Sequence, residues 1–185
     1  MSGVRIVGAR EAIEHLGAMP GEFRKAARNS LNKGATQARK AIVDPAVAAT
    51  GIKRAVLNAR LPLSKAGLND LISRVKADPH GIPAPAYRWH HVPTGKHPTR
   101  HRIMIGWPGG EKVAAGFVNP FGTYQAPLTT RRKGYDLAIA LAPSAASLRY
   151  ALFQDAEERK VSGYLQDEFK AQLINIINKR PVDNE

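Results

Sequence analysis

Cysteine is absent from all 185 residues, so disulfides, thiolate nucleophiles and cysteine-ligated zinc are excluded and folding must rest on packing alone. Aromatic residues make up only 6% of the chain, which calls for a core of aliphatic side chains and alanine. No apolar run approaches the roughly 18 residues that a membrane-spanning helix needs. Met1–Arg10 lacks the apolar stretch of a signal peptide, so the expectation is a soluble protein that stays in the cytoplasm where it is made. Acidic residues are scarce in one part of the chain. Residues 1–134 hold 22 Lys/Arg against seven Asp/Glu, whereas residues 135–185 hold six against eight.

A formal net charge of +13 with this uneven distribution points to a polyanionic partner, because the summed field attracts nucleic acid or acidic protein surfaces. Hydrophobic residues at 43% against 23% charged are the balance of a globular chain. A domain of this length buries roughly 70% of the surface its unfolded chain exposes, enough for one real core.

Residues 11–18 suit a short helix ended by Met19-Pro20-Gly21, and Glu22–Val43 a longer one closed by Asp44-Pro45. In the latter, Phe23, Ala27, Leu31, Gly34, Ala38 and Ala41 trace one apolar stripe of small residues. Its other faces carry Arg24, Lys25, Arg28, Lys33, Arg39 and Lys40, readable as a DNA-facing ridge or as the solvated side of an amphipathic helix. Ile52–Leu61 suits a second, shorter helix stopped by Pro62, and the alternation over Leu71–Ala77 a half-buried strand. Ala86–Val92 reads as a strand, and Pro93–His101 as a basic turn-rich loop with no side chain for a core. Arg102–Trp107 and Glu111–Val118 flank Pro108-Gly109-Gly110, a strong hairpin signal with Ile103, Ile105 and Trp107 on one face. Arg131-Arg132-Lys133-Gly134 forms a second basic tip, and Asp136–Ala142 is a β-like run. Ala142-Pro143-Ser144 suits the start of a final helix, with Gly163 a candidate kink and Pro181 its stop. Val161, Leu165, Phe169, Leu173 and Ile176 share one face of it.

Helices, then strands, then a helix, with no repeat or sustained heptad, predict an α+β fold with N-terminal helices, a central antiparallel sheet with long loops and a long C-terminal helix. One domain over 1–185 is expected, with a helical part at 10–78, a sheet with basic loops at 79–142, a C-terminal helix at 143–180 and a tail at 181–185.

Ala26-Ala27-Arg28-Asn29-Ser30-Leu31-Asn32-Lys33-Gly34-Ala35 resembles the opening helix of the minor tail protein Z family, the tail completion proteins of long-tailed bacteriophages. The resemblance continues through Ile52-Lys53-Arg54, Leu71–Lys76, Gly116-Phe117-Val118-Asn119 and Tyr135-Asp136-Leu137-Ala138-Ile139. It ends at Ala142-Pro143-Ser144 before the last helix, and so spans roughly residues 10–180. It implies a structural virion protein at the head-proximal end of the tail tube, assembled in the host cytoplasm as a ring, expected to be hexameric. The implied partners are the tail terminator and tail tube proteins, the tape measure protein and the genomic DNA end. The stretch His90–Arg102 departs from the family pattern, with histidines where a denser Arg/Lys run is expected. A head–tail connector or tail terminator subunit, or a basic nonspecific DNA-binding module, fits the same composition.

Between Gly81 and Gly134 lie Arg88, Lys96, Arg100, Arg102, Lys112, Arg131, Arg132 and Lys133 against one acid, Glu111. Such side chains neutralise phosphates and release counterions without reading bases. In a ring, the tips carrying Lys96, Arg100, Arg102, Arg131, Arg132 and Lys133 would face the DNA. Solubilising loops or contacts to an acidic protein account for the same residues.

His90, His91, His97 and His101 cluster within twelve residues, and His97/His101 have a helical metal-binding spacing. Pro98 and Gly95 oppose a helix there, and a zinc site needs three or four convergent ligands, so no metal or other cofactor is expected. Glu157-Glu158 and Asp167-Glu168 read as a solvated helix face rather than an acid/base dyad, and no catalytic residue is assigned. Gly106–Gly110 lacks the Lys-Ser/Thr of a phosphate loop, and Trp89 and Trp107 suit filling the sheet face more than stacking on bases.

Overall fold

A computed structural model describes residues 21–95, 98–130 and 136–178. The fold is α+β, with antiparallel strand pairings and a long helix near the C-terminus. The helix expected over 11–18, the tip at Arg131–Gly134 and the stop at Pro181 lie outside the described residues. The chain divides into two compact units. The first takes Met1–Ala41, Pro62–Lys76 and Phe153–Glu185, the second Ile42–Leu61 and Ala77–Leu152.

The first unit holds the leading part of helix α1 (Gly21–Thr50), which carries the small-residue stripe, a two-stranded ladder of β1 (Leu63–Ser64) and β2 (Arg74–Val75), and α4 (Asp155–Ile177). Ala26, Ala27, Ser30, Gly34 and Ala38 are buried. A methyl group added at Gly34 would meet Leu165 Cδ1 at 3.0 Å, which is why a glycine sits where α1 and α4 approach. Val161, Leu165, Phe169, Leu173 and Ile176 are all half-buried, the expected face of α4. Lys33 Nζ reaches Glu168 Oε1 at 2.5 Å. This hydrogen-bonded ion pair raises the lysine pKa and lowers that of the carboxylate, to which Gln172 also donates. The Asn32 amide brackets Ala66, donating to its carbonyl at 3.3 Å and accepting from its N–H at 2.7 Å.

The second unit holds a five-stranded antiparallel meander, β4 (Trp89–Val92), β5 (His101–Trp107), β6 (Gly110–Val118), β7 (Leu128–Thr130) and β8 (Leu137–Ile139), in sequential order. A separate pair joins β3 (Gly81–Pro83) to β9 (Leu141–Ser144), and helices α2 (Arg54–Arg60) and α3 (Ala145–Leu152) complete the unit. Its core is aliphatic: Ile42, Ile52, Leu57, Leu61, Ile82, Ile103, Ile105, Val118 and Leu148 are all fully buried. The β5–β6 hairpin turns through Pro108-Gly109, with Gly109 at φ 87°, the position a type II turn reserves for glycine.

Several boundaries differ from expectation: the strand expected over Leu71–Ala77 is only β2, Arg74–Val75, and the strand expected over Ala86–Val92 begins at Trp89 after a 3-10 turn over Ala84–Ala86. α1 does not stop at Asp44-Pro45 but runs through Pro45 to Thr50. Ile42, Val43 and Ala46 are almost wholly buried, and each of the two larger side chains contributes about 1.5–3 kcal/mol on burial, enough to offset the roughly 3 kcal/mol of an internal proline. The helix ends at Gly51, whose φ of 73° and N–H to Val47 O at 3.0 Å form a left-handed cap. Ala142-Pro143-Ser144 lies in β9 rather than in a helix, and α3 begins only after Ser144, whose Oγ accepts from Ser147 N at 3.2 Å as an N-cap. The final helix is interrupted at Phe153-Gln154, while α4 passes through Gly163. Gln154 has extended backbone and accepts from Glu157 N and Glu158 N, and Asp155, Glu157 and Glu158 crowd the first turn of α4, where the helix dipole favours negative charge.

A basic hairpin surface with a cross-strand histidine pair

Arg100 and Arg102 are the expected DNA-facing residues that fall within the described chain, and both are exposed. Lys96, Arg131, Arg132 and Lys133 lie outside it. Arg102 sits on β5 opposite Val92 of β4. The Arg100 guanidinium lies over the Phe117 ring, 5.2 Å from its centroid, and Lys112 Nζ lies 4.6 Å from the Trp107 centroid. The two aromatics therefore hold cations on the hairpin surface instead of offering free faces for stacking.

Arg88 has a different role. Its backbone N–H donates to Thr50 O at 2.6 Å, its carbonyl accepts from Gly106 N at 2.8 Å, and its Nη2 donates to Ala49 O at 3.2 Å. The last turn of α1 carries no basic residue of its own, so Arg88 brings the cation that complements the negative end of the helix. Gly106 must be glycine beside this contact, since a Cβ there would stand 2.5 Å from Ala49 O.

Strand alternation sorts the remaining residues. Trp89 pairs with Ile105 and His91 with Ile103, which places them on one side of β4 and β5, where Ile103 and Ile105 are fully buried, Trp89 is half-buried and His91, near the strand end, is exposed. His90 pairs with Met104 on the opposite side and lies 3.5 Å from Glu111 Oε1, the one acid of the basic segment. His101 meets His91 across the strands, Nδ1 to Nδ1 at 2.8 Å, with ring centroids 4.9 Å apart. The spacing His97/His101 does not bear on this, and His97 lies outside the described residues. The pair was missed because ten positions separate its members. The available signal was the β4–β5 pairing, which brings strand ends together whatever the intervening length. Among the described residues, no group of three or more His, Asp or Glu gathers as a metal site, and no helix is long and apolar enough to cross a membrane.

Several other acidic side chains are engaged in ion pairs. Glu157 binds Lys160 at 2.6 Å and Glu168 binds Lys33. Asp78 accepts from His80 N at 2.9 Å, Arg60 Nη1 at 2.5 Å and His80 Nδ1 at 2.7 Å, which together hold its carboxyl well below the usual carboxylate range. Tyr87 is buried and donates to Pro143 O at 2.5 Å, and burial pushes its phenol up. Comparison with known proteins returned no match to any family model, curated protein or solved structure.

Proposed function

We propose that the protein is a structural virion component that completes the head-proximal end of a phage tail tube, as a ring joining the tube and tail terminator and accommodating the DNA end. The observation that carries this reading is the ordered series of sequence blocks, from Ala26–Ala35 to Ala142-Pro143-Ser144, that resembles the tail completion family. Charge supports it: the segment Gly81–Gly134 has eight basic residues against one acid, and Arg100 and Arg102 are exposed at the β4–β5 connection. In this reading the cations hold phosphates without regard to base sequence, since neutralisation and counterion release need no base contacts.

The test is electron microscopy of tails assembled with and without the protein, combined with detection of the protein in purified virions. Protein found in the neck region, with incomplete tails in its absence, is the expected result. Its absence from every virion fraction refutes the proposal.

A further inference from the structure

The connection between β6 and β7, residues 119–127, carries Phe121 and Tyr124, which are 78% and 77% exposed. Phe117 and Trp107 are covered by cations, but among the described residues neither Phe121 nor Tyr124 meets another ring or a cation. A ring left in water forgoes the stabilisation that burial gives it, so two on one loop call for a partner. We propose that this loop, with Arg100 and Arg102 at its foot, is a binding site for single-stranded DNA, in which unpaired bases stack on Phe121 and Tyr124 while the two guanidinium groups hold phosphates.

Strand register places the cations beside the rings. His101, the first residue of β5, pairs with Val118, the last of β6, so the β4–β5 and β6–β7 connections leave the same end of the sheet. The aromatic loop departs and returns next to the Phe117–Leu128 pair, and Arg100 lies over the Phe117 ring. Arg102 stands opposite the bulge that contains Phe117, and it is exposed. The loop is also held in shape. Asn119 Oδ1 accepts from Phe121 N at 3.1 Å, Asn119 O accepts from Gly122 N at 3.2 Å, and Gln125 Nε2 donates to Pro120 O at 2.9 Å, while Pro127 is fully buried. A loop already ordered loses little further entropy on binding.

The chemistry selects unpaired nucleotides. Every base offers a π face, so stacking tolerates any sequence, but in a duplex those faces are covered by neighbouring bases. Three positions separate the two rings, at most about 11 Å of extended chain, so both serve one short run of nucleotides. This inference deepens the tail-completion reading, on which the choice of DNA rests, by naming unpaired nucleotides as what this end of the sheet holds.

Fluorescence anisotropy of labelled oligo-dT of about 20 nucleotides and of a duplex of the same length, each titrated with the untagged full-length protein, tests it. Phe121→Ala and Tyr124→Ala are each expected to weaken oligo-dT binding about 5- to 150-fold and to leave duplex binding unchanged, whereas Phe121→Tyr and Tyr124→Phe retain the oligo-dT affinity. Arg100→Ala is expected to weaken both ligands and to lower the oligo-dT salt slope by about 0.7. Circular dichroism of each variant establishes that it is folded. Alanine variants that bind oligo-dT as the parent does, or that lose duplex and oligo-dT affinity equally, overturn the proposal. They do so without touching the tail-completion reading, which is decided by the presence of the protein in virions. Alanine variants that keep oligo-dT binding yet block tail assembly assign the loop to a protein partner and overturn it as well.

Discussion

Gly116 is the position where a single methyl group is expected to do most damage. Between the pairs His101–Val118 and Ile103–Ala114, β6 sets Ala115, Gly116 and Phe117 against Arg102 alone, so the strand bulges there. Gly116 has φ 111°, and a Cβ on it would stand 2.4 Å from Leu128 O, 3.0 Å from Ala140 Cβ and 3.2 Å from Ile103 Cδ1. The closest of these is backbone of the neighbouring strand β7, which cannot swing away as the end of a side chain can. Gly116→Ala therefore carries a backbone cost of about 1–2 kcal/mol and an overpacking cost of about 1–3 kcal/mol. The sum, about 2–5 kcal/mol, is a large part of the 5–15 kcal/mol typical of a folded domain. At about 2–4 °C per kcal/mol for a chain of this size, the unfolding midpoint falls by about 4–20 °C.

Gly109 separates the two contributions, because its φ is 87° but a Cβ there meets nothing within 4 Å. Gly109→Ala bears only the backbone cost and is expected to lose about 2–8 °C. Thermal unfolding of both variants by circular dichroism is the assay. Equal losses in the two would show that the bulge does not press β6 against Leu128, and a Gly116→Ala midpoint within about 1 °C of the parent would refute the whole argument.

Gly163 lies inside α4 with nothing within 4 Å of an added Cβ, so Gly163→Ala is expected to raise the unfolding midpoint, stabilising by about 1 kcal/mol through helix propensity. Asp78 has a folded-state pKa below that of the unfolded chain. Its contribution to stability is therefore present above about pH 4 and is lost as pH falls towards the folded value, because the unfolded chain binds the proton first. Asp78→Asn is expected to flatten the fall of stability below about pH 4 in denaturant titrations at a series of pH values, and an unchanged acid limb would contradict this. Replacing Arg100 and Arg102 together by Ala is expected to weaken duplex DNA binding uniformly across sequences and to reduce the salt slope by about 1.8, or about 0.9 for each phosphate contact. A slope identical to that of the parent removes these two residues from the DNA-facing set.

Local patterns in the sequence sufficed for the elements whose signals agree with one another. The stripe from Phe23 to Ala41, the stripe from Val161 to Ile176 and the turn at Pro108-Gly109-Gly110 each encode a period or a backbone angle that neighbouring residues satisfy by themselves. The α+β class follows from their order. For the candidate surface, the exposure of Arg100 was legible because a loop without apolar side chains has nothing to bury, and that of Arg102 because it alternates with the buried Ile103 on β5.

Folding in three dimensions settled the places where local signals conflict or where distant residues meet. Pro45 argues for a helix end, yet burial of Ile42, Val43 and Ala46 outweighs it. Pro143 suits the start of a helix, yet pairing with β3 draws Leu141–Ser144 into a strand. Arg88 counts among the eight cations of the basic segment, yet its contact with Ala49 O gives it a part in ending α1. His91 and His101 became a pair only because antiparallel ladder bonds align β4 with β5. Short-range periodicity records what each segment can do alone. Desolvation and strand pairing act between segments far apart in the chain, and they chose among those options.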